Sequence, residues 1–226
     1  YHPYGPALER SLASPIPAYH GWPNERIIKD WSRMAKVGID VVCVAVDPHE
    51  VTGDGFKGER YRHLFQLVAE HPVWPRVSLY VVDDSRPAPP VQRAFTDWVV
   101  TQSREHVDVF WKESGRRPIV VFAPGYGSWA SRHPALLFRY TSGTRTSAWH
   151  WPDSPDRPLV FGPHSSQAAV YAGFYGDGIA TADDRWRIPR RKGETLVDAI
   201  RQAVASRADT ICISSWNNFA DGSFVE

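Results

Sequence analysis

Short runs of uninterrupted apolar residues alternate along this chain with longer stretches whose apolar residues recur every three or four positions. The first stretch, Glu25 to Val37, carries Ile27, Ile28, Trp31, Met34 and Ala35 at helical spacing, with Asn24 as N-cap and Gly38 as stop. Ile39 to Val46 follows as a continuous apolar run. That is the pattern of a strand buried on both faces of a parallel sheet, and it ends at Asp47-Pro48-His49. Tyr61 to Glu70 returns to helical spacing through Leu64, Phe65, Leu67 and Val68. Val77 to Val82 reads as the next strand, closing on Asp83-Asp84. Val91 to Lys112 reads as one long helix, and Ile119 to Phe122 as a strand running into Ala123-Pro124-Gly125-Tyr126.

The second half is less regular. A strand is expected somewhere in Phe138 to Trp151, with Ser147 to His150 the candidate, and a short one at Leu159-Val160-Phe161. Ala168 to Ala172 is a firmer strand, ending in Gly173-Phe174-Tyr175-Gly176. A polar loop rich in Asp and Arg, Asp177 to Lys192, leads to a helix over Thr195 to Ala205 and a last strand over Thr210 to Ser214. Strand and helix alternate throughout, which points to an α/β protein with parallel strands and helices outside. The count of strands favours a (β/α)8 TIM-type barrel, incomplete or irregular, built as a single domain over residues 1–226. A doubly wound open sheet is the alternative. No glycine-rich phosphate loop follows any strand, which argues against nucleotide binding.

Composition narrows the function classes. The chain has 226 residues, 42% of them hydrophobic, enough for a sizeable core. A net charge of +1 offers no basic surface for nucleic acid, and no apolar run is long enough to span a membrane. The chain opens at Tyr1 without an initiating Met or a signal-like start, so a processed or trimmed amino end is expected, with flanking sequence beyond both ends. Cys43 and Cys212 both sit in strand-like apolar runs, where buried free thiols are the ordinary state. A disulfide between them requires neighbouring strands.

Aromatic residues are in excess, at 13% of the chain, and many stand in loops beside Gly, Pro, His or Asp. They include Tyr4, Tyr126, Trp129, Trp151, Tyr175 and Trp216. Flat rings with a polar edge suit sugars, though ordinary core packing accounts for any one of them. The strand ends carry the rest of the chemistry: Asp47 and His49, Asp83 and Asp84, Tyr126, His150 to Asp153, Tyr175 and Asp177, and Asn217, Asn218 and Asp221. In a barrel these meet on one face. Clustered carboxylates shift one another's pKa, so one stays protonated while its partner ionises. Paired carboxylates with aromatic platforms are the equipment of glycosidic bond cleavage. The ordinary role of a lone strand-end Asp is to cap a helix or form a turn.

The final stretch Ser215-Trp216-Asn217-Asn218-Phe219-Ala220-Asp221-Gly222-Ser223-Phe224-Val225-Glu226 resembles the signature of glycoside hydrolase family 99 and its clan, roughly Ser-Phe/Trp-Asn-Glu-Trp-x-Glu-Gly-Thr-x-Ile-Glu. Two further stretches are similar to the clan's, Tyr1-His2-Pro3-Tyr4 and Met34-Ala35-Lys36-Val37-Gly38-Ile39-Asp40-Val41. The resemblance implies a (β/α)8 barrel acting on α-linked mannosides without metal or cofactor. It implies that the second signature Glu, the acid/base at the glycosidic oxygen, falls on Asp221. The first, a base acting on the substrate's own 2-hydroxyl to form an anhydro-sugar, falls on Asn218. An amide does not ionise and cannot act as that base. The related family 71 of α-glucanases carries Asp there.

Three consequences are open. Another strand end, Asp47, Asp83 or Asp84, supplies the missing base. The enzyme inverts, with Asp221 as acid and one of those carboxylates as base across a wider gap. Or the barrel has lost catalysis and binds carbohydrate. In each case Asn218, Asn217 and Trp216 contact the sugar and Tyr4, Tyr126, Trp151 and Tyr175 are platforms. A metal-dependent hydrolase built on Asp47 and His49 is the weakest alternative, since no paired-His motif supports it. The expected ligand is an oligo- or polysaccharide, and handling such a polymer implies an exported protein. The sequence does not set the oligomeric state. Strand parity adds a geometric expectation: Cys212 and Ser214 share a face with Trp216 and Asn218, and Cys43 and Ala45 share one with Asp47, both turned away from the helices.

Overall fold

The structure, a computed structural model, describes residues 23–52, 57–81, 87–113, 117–122, 129, 133–140, 167–171, 189–205, 207, 210–214 and 216. The chain forms two compact units, Trp22–Tyr140 and a second made of Tyr1–Gly21 with Thr141–Glu226.

In the first unit, helix α1 (Asn24–Lys36) leads into strand β1 (Val41–Val46). Helices α2 (Pro48–Thr52) and α3 (Lys57–Glu70) precede β2 (Arg76–Val81), and α4 (Pro89–Glu105) precedes β3 (Lys112–Glu113), β4 (Arg117–Phe122) and β5 (Leu137–Tyr140). Strands β1, β2, β4 and β5 lie side by side in that order and all parallel, while β3 pairs antiparallel with β4. The order never reverses. Parallel crossovers are right-handed almost without exception, so successive connections between neighbours taken in one direction put their helices on one face. A doubly wound sheet needs a reversal point, and the described strands have none.

Side chains agree with that topology. Val77 pairs with Phe110 across a parallel bridge, and the Phe110 ring meets Phe65 of α3 at 4.9 Å between centroids. The face of β2 that carries Val77, Leu79 and Val81 is therefore the helix face, and the register puts Val42, Val44 and Val46 of β1 on it too. Cys43, Ala45, Ser78 and Tyr80 point the other way, as parity predicts for Cys43 and Ala45. That second face is also shielded: Ser78 is 0% exposed.

The second unit contains a parallel pair, β6 (Gln167–Tyr171) and β7 (Thr210–Ser214), joined through a 3-10 turn at Arg191–Gly193 and helix α5 (Glu194–Ala205). Ile211 and Ile213 pack against a cluster of Val170, Ala199 and Ala203, with Leu196 and Ile200 beside it. Small residues at 199 and 203 let α5 lie close on the strands. Cys212, between the two isoleucines, is turned away from α5 and buried, as expected. Neither Cys43 nor Cys212 forms a disulfide.

Several sequence expectations need correction. Asn24 does not cap α1. Pro23 holds the cap position without a side-chain cap bond, and the Asn24 amide oxygen lies 2.6 Å from His63 Nε2 on α3. Helix α4 stops at Glu105 rather than Lys112, because Val109 and Trp111 exchange backbone hydrogen bonds with Val77 and extend the sheet instead. The short helix α2 stands where a bare strand end was expected. In the middle of the chain the described strand is β5, at 137–140; the expected Ser147 to His150 and Leu159 to Phe161 lie outside the described residues.

Candidate active site

Parallel strands in register end together. Val46 pairs with Val81, Val81 with Phe122, and Phe122 with Tyr140, so the last residues of β1, β2, β4 and β5 form one level row. The connections that leave this edge carry Asp47, then Asp83 and Asp84, then Tyr126, in sequence. In the second unit Tyr171 and Ser214 form the corresponding row, and Trp216 follows β7.

Asp47 is the best-defined site residue. Its carboxylate oxygen Oδ1 accepts from the His49 backbone N–H at 2.8 Å, and its carbonyl accepts from Glu50 N–H at 3.0 Å. Asp47 is thus the N-cap of α2, with Pro48 in the first helical position where its missing N–H costs nothing. The signal was present in the sequence as Asp-Pro followed by Glu50 in the first turn. The capping bond fixes the carboxylate at the strand end.

Below it, away from the helices, Cys43 and Ser78 are register partners. Burial pushes the Cys43 thiol up from its ordinary 9.0 to about 11, against the lowering effect of the Ser78 hydrogen bond. The thiol stays protonated and unreactive at neutral pH. Tyr80, half-buried beside Ala45 on this face, was not singled out by motif reading; strand parity alone would have found it.

Trp216 is partly buried, and its indole N–H, shielded from solvent, has no hydrogen-bond partner among the described residues. Trp129, counted among the loop aromatics, belongs to the core: it is 2% exposed and meets Phe95 edge-on at 5.7 Å. Asp221, Asp83, Asn218, Asn217, Tyr4, Tyr126, Trp151 and Tyr175 lie outside the described residues. Among the described residues no three His, Cys, Asp or Glu side chains come together to hold a metal ion, and no helix is long and apolar enough to cross a membrane.

The described elements define a class: an α/β protein of parallel strands wound in one direction, with candidate chemistry at the carboxyl edge of its strands. The chain shares its fold with two solved structures of the GH99 endo-alpha-mannosidase from Bacteroides thetaiotaomicron. One, in complex with BIS-TRIS-propane, superposes with a TM-score of 0.78 at 14% identity, covering 100% of this chain and 85% of that one. The other gives a TM-score of 0.72 at 15% identity, covering 92% of this chain and 71% of that one. No family model and no curated protein sequence matches the chain. At these identities the likeness is one of fold.

Proposed function

We propose that this chain closes into a single (β/α)8 barrel and hydrolyses α-linked glycans at the carboxyl edge of its strands, with Asp221 as general acid/base. The observation that carries the reading is the fold likeness to GH99 endo-alpha-mannosidase over the whole chain. The carboxyl-terminal motif, which resembles that family's signature, follows a strand whose residues stand at the predicted positions. The one-directional strand order supports barrel closure, because Ser78 and Ala45 are buried on a face that the crossovers leave without helices.

In this reading Asp221 protonates the departing glycosidic oxygen. With Asn218 unable to serve as base, Asp47 or Asp83 activates the water, and Asp47, held at the strand end by its capping bond, suits a base. Such an enzyme inverts, its carboxyls about 6.5–9.5 Å apart to admit the water. Asn217, Asn218 and Trp216 contact sugar hydroxyls and faces, and Tyr4, Tyr126, Trp151 and Tyr175 stack on the rings. The test is a screen against α-mannan, α-glucans and complex glycans with product analysis. Asp221→Asn is expected to fold normally and to lose at least about a hundredfold in turnover, the usual worth of a general acid. Equal turnover in the variant would exclude the assignment.

Asn218 favours a second reading, a barrel that binds carbohydrate without cutting it. The discriminator is restoration. Asn218→Glu raises or creates activity if the remaining machinery is intact, and glycan binding without product in both proteins supports the binding module.

A further inference from the structure

The chain is held on both sides of Asp47. After it, the capping turn fixes the carboxylate, and buried Pro48 and Val51 anchor α2. Before it, the sheet gives less support. Val77 of β2 donates its N–H to the Val109 carbonyl and accepts from Trp111 N–H with its own carbonyl. Backbone groups alternate in direction along a strand, so Arg76, Ser78 and Tyr80 turn theirs toward β1. Arg76 N–H indeed donates to the Asp40 carbonyl at 2.9 Å. On β1, by the same alternation, Val42, Val44 and Val46 face β2 and the Ala45 carbonyl faces away from it. Strand β1 is the outermost described strand of this sheet, so β2 cannot hold that peptide. A side chain does. Tyr61 of α3 is 0% exposed and donates its hydroxyl to the Ala45 carbonyl at 3.1 Å. Its ring stands edge-on to Trp98 of α4, with 5.9 Å between centroids. A carbonyl oxygen has two lone pairs, so this bond leaves room for a further strand along β1.

We infer that Tyr61 is a positioning residue for Asp47: its hydroxyl fixes the peptide joining Ala45 to Val46, and so the place at which Asp47 leaves the end of β1. The inference rests on the proposed hydrolysis with Asp47 as base, and adds the residue that aims that base. Tyr61 is sealed from solvent, so it acts through Asp47 rather than on the substrate. A general base must lie within hydrogen-bond reach of the proton it takes. Displacement by about 1 Å at the strand end is therefore enough to cost up to about a hundredfold in rate.

The test is a double-mutant cycle in steady-state kinetics, on the full chain with α-mannan and α-glucan as substrates. Tyr61→Phe keeps the ring and its contact with Trp98 and removes the hydroxyl. Asp47→Asn removes the carboxylate and keeps a side chain that caps α2. Phe65→Leu is the control: it loosens the same helix against the same Trp98 and leaves the Ala45 carbonyl bonded. Asp47→Asn is expected to lower kcat about a hundredfold. Tyr61→Phe is expected to lower kcat about tenfold with KM little changed. Phe65→Leu keeps kcat close to wild type. In the double variant the effect of Tyr61→Phe vanishes, because no base is left to aim. A loss that persists on top of Asp47→Asn, an equal loss in Phe65→Leu, or wild-type kcat in Tyr61→Phe overturns the inference alone. Full turnover in Asp47→Asn overturns Asp47 as base and the inference with it. No product from wild-type protein on either polymer overturns the hydrolase itself, and Tyr61 then has no base to position.

Discussion

At the residue scale, environment separates side chains that look alike in the sequence. Asp47 caps α2 and in doing so is fixed at the strand end, so the ordinary role of a strand-end Asp and a role in a site are compatible in one residue. Trp129 and Trp216 both stand beside small or polar neighbours. One is sealed into an aromatic contact with α4, while the other keeps a shielded N–H without a partner among the described residues. Cys43 yields a pH prediction. Its folded pKa of about 11 lies above its ordinary 9.0, because burial disfavours the thiolate. Below the lower value both states hold the proton and stability does not depend on it. As pH rises through the window between them, the unfolded chain ionises first and stability falls. The wild type is expected to lose about 3 kcal/mol more than Cys43→Ala across that window, read by urea unfolding at a series of pH values. Parallel curves for the two proteins would refute the buried-thiol account.

At the element scale, the helix ends show which local signals survive folding. Gly38 was read as the stop of α1, and it forms a complete left-handed cap: φ is +79°, Gly38 N–H donates to Ala35 carbonyl at 3.1 Å and Ile39 N–H to Met34 carbonyl at 3.0 Å. A Cβ at this position would meet nothing within 4 Å, so only the backbone conformation penalises substitution. Gly38→Ala is expected to cost about 1–2 kcal/mol in chemical denaturation, with secondary structure retained. The start of the same helix was misread, because Asn24 had a tertiary partner, His63, that no local pattern announces. The overlong reading of α4 failed for a related reason: residues 106–112 have no strong helix breaker, and pairing with Val77 draws them into the sheet.

At the scale of the whole molecule, the described strands of the first unit run β1-β2-β4-β5 without the reversal that a doubly wound sheet needs. The proposed single barrel makes a thermodynamic prediction. Unfolding in denaturant is expected to be one cooperative transition, coincident by far-ultraviolet circular dichroism and tryptophan fluorescence. Two separated transitions would show that the units Trp22–Tyr140 and Thr141–Glu226 with its amino-terminal segment are independent domains.

The sequence by itself determined the elements of strongest periodicity, the last strand to the residue, the facing of Cys43 and Cys212, and the strand-end placement of Asp47. All of these follow from local spacing, since the two-residue repeat of a strand and the 3.6-residue repeat of a helix act within one segment. Tertiary structure decided which of the described strands are neighbours, that their order runs in one direction, and that Trp129 belongs to the core. These depend on contacts between residues far apart in the chain, such as Trp129 with Thr96 or Val77 with Phe110. Their free energy is realised only once the sheet has brought the partners together.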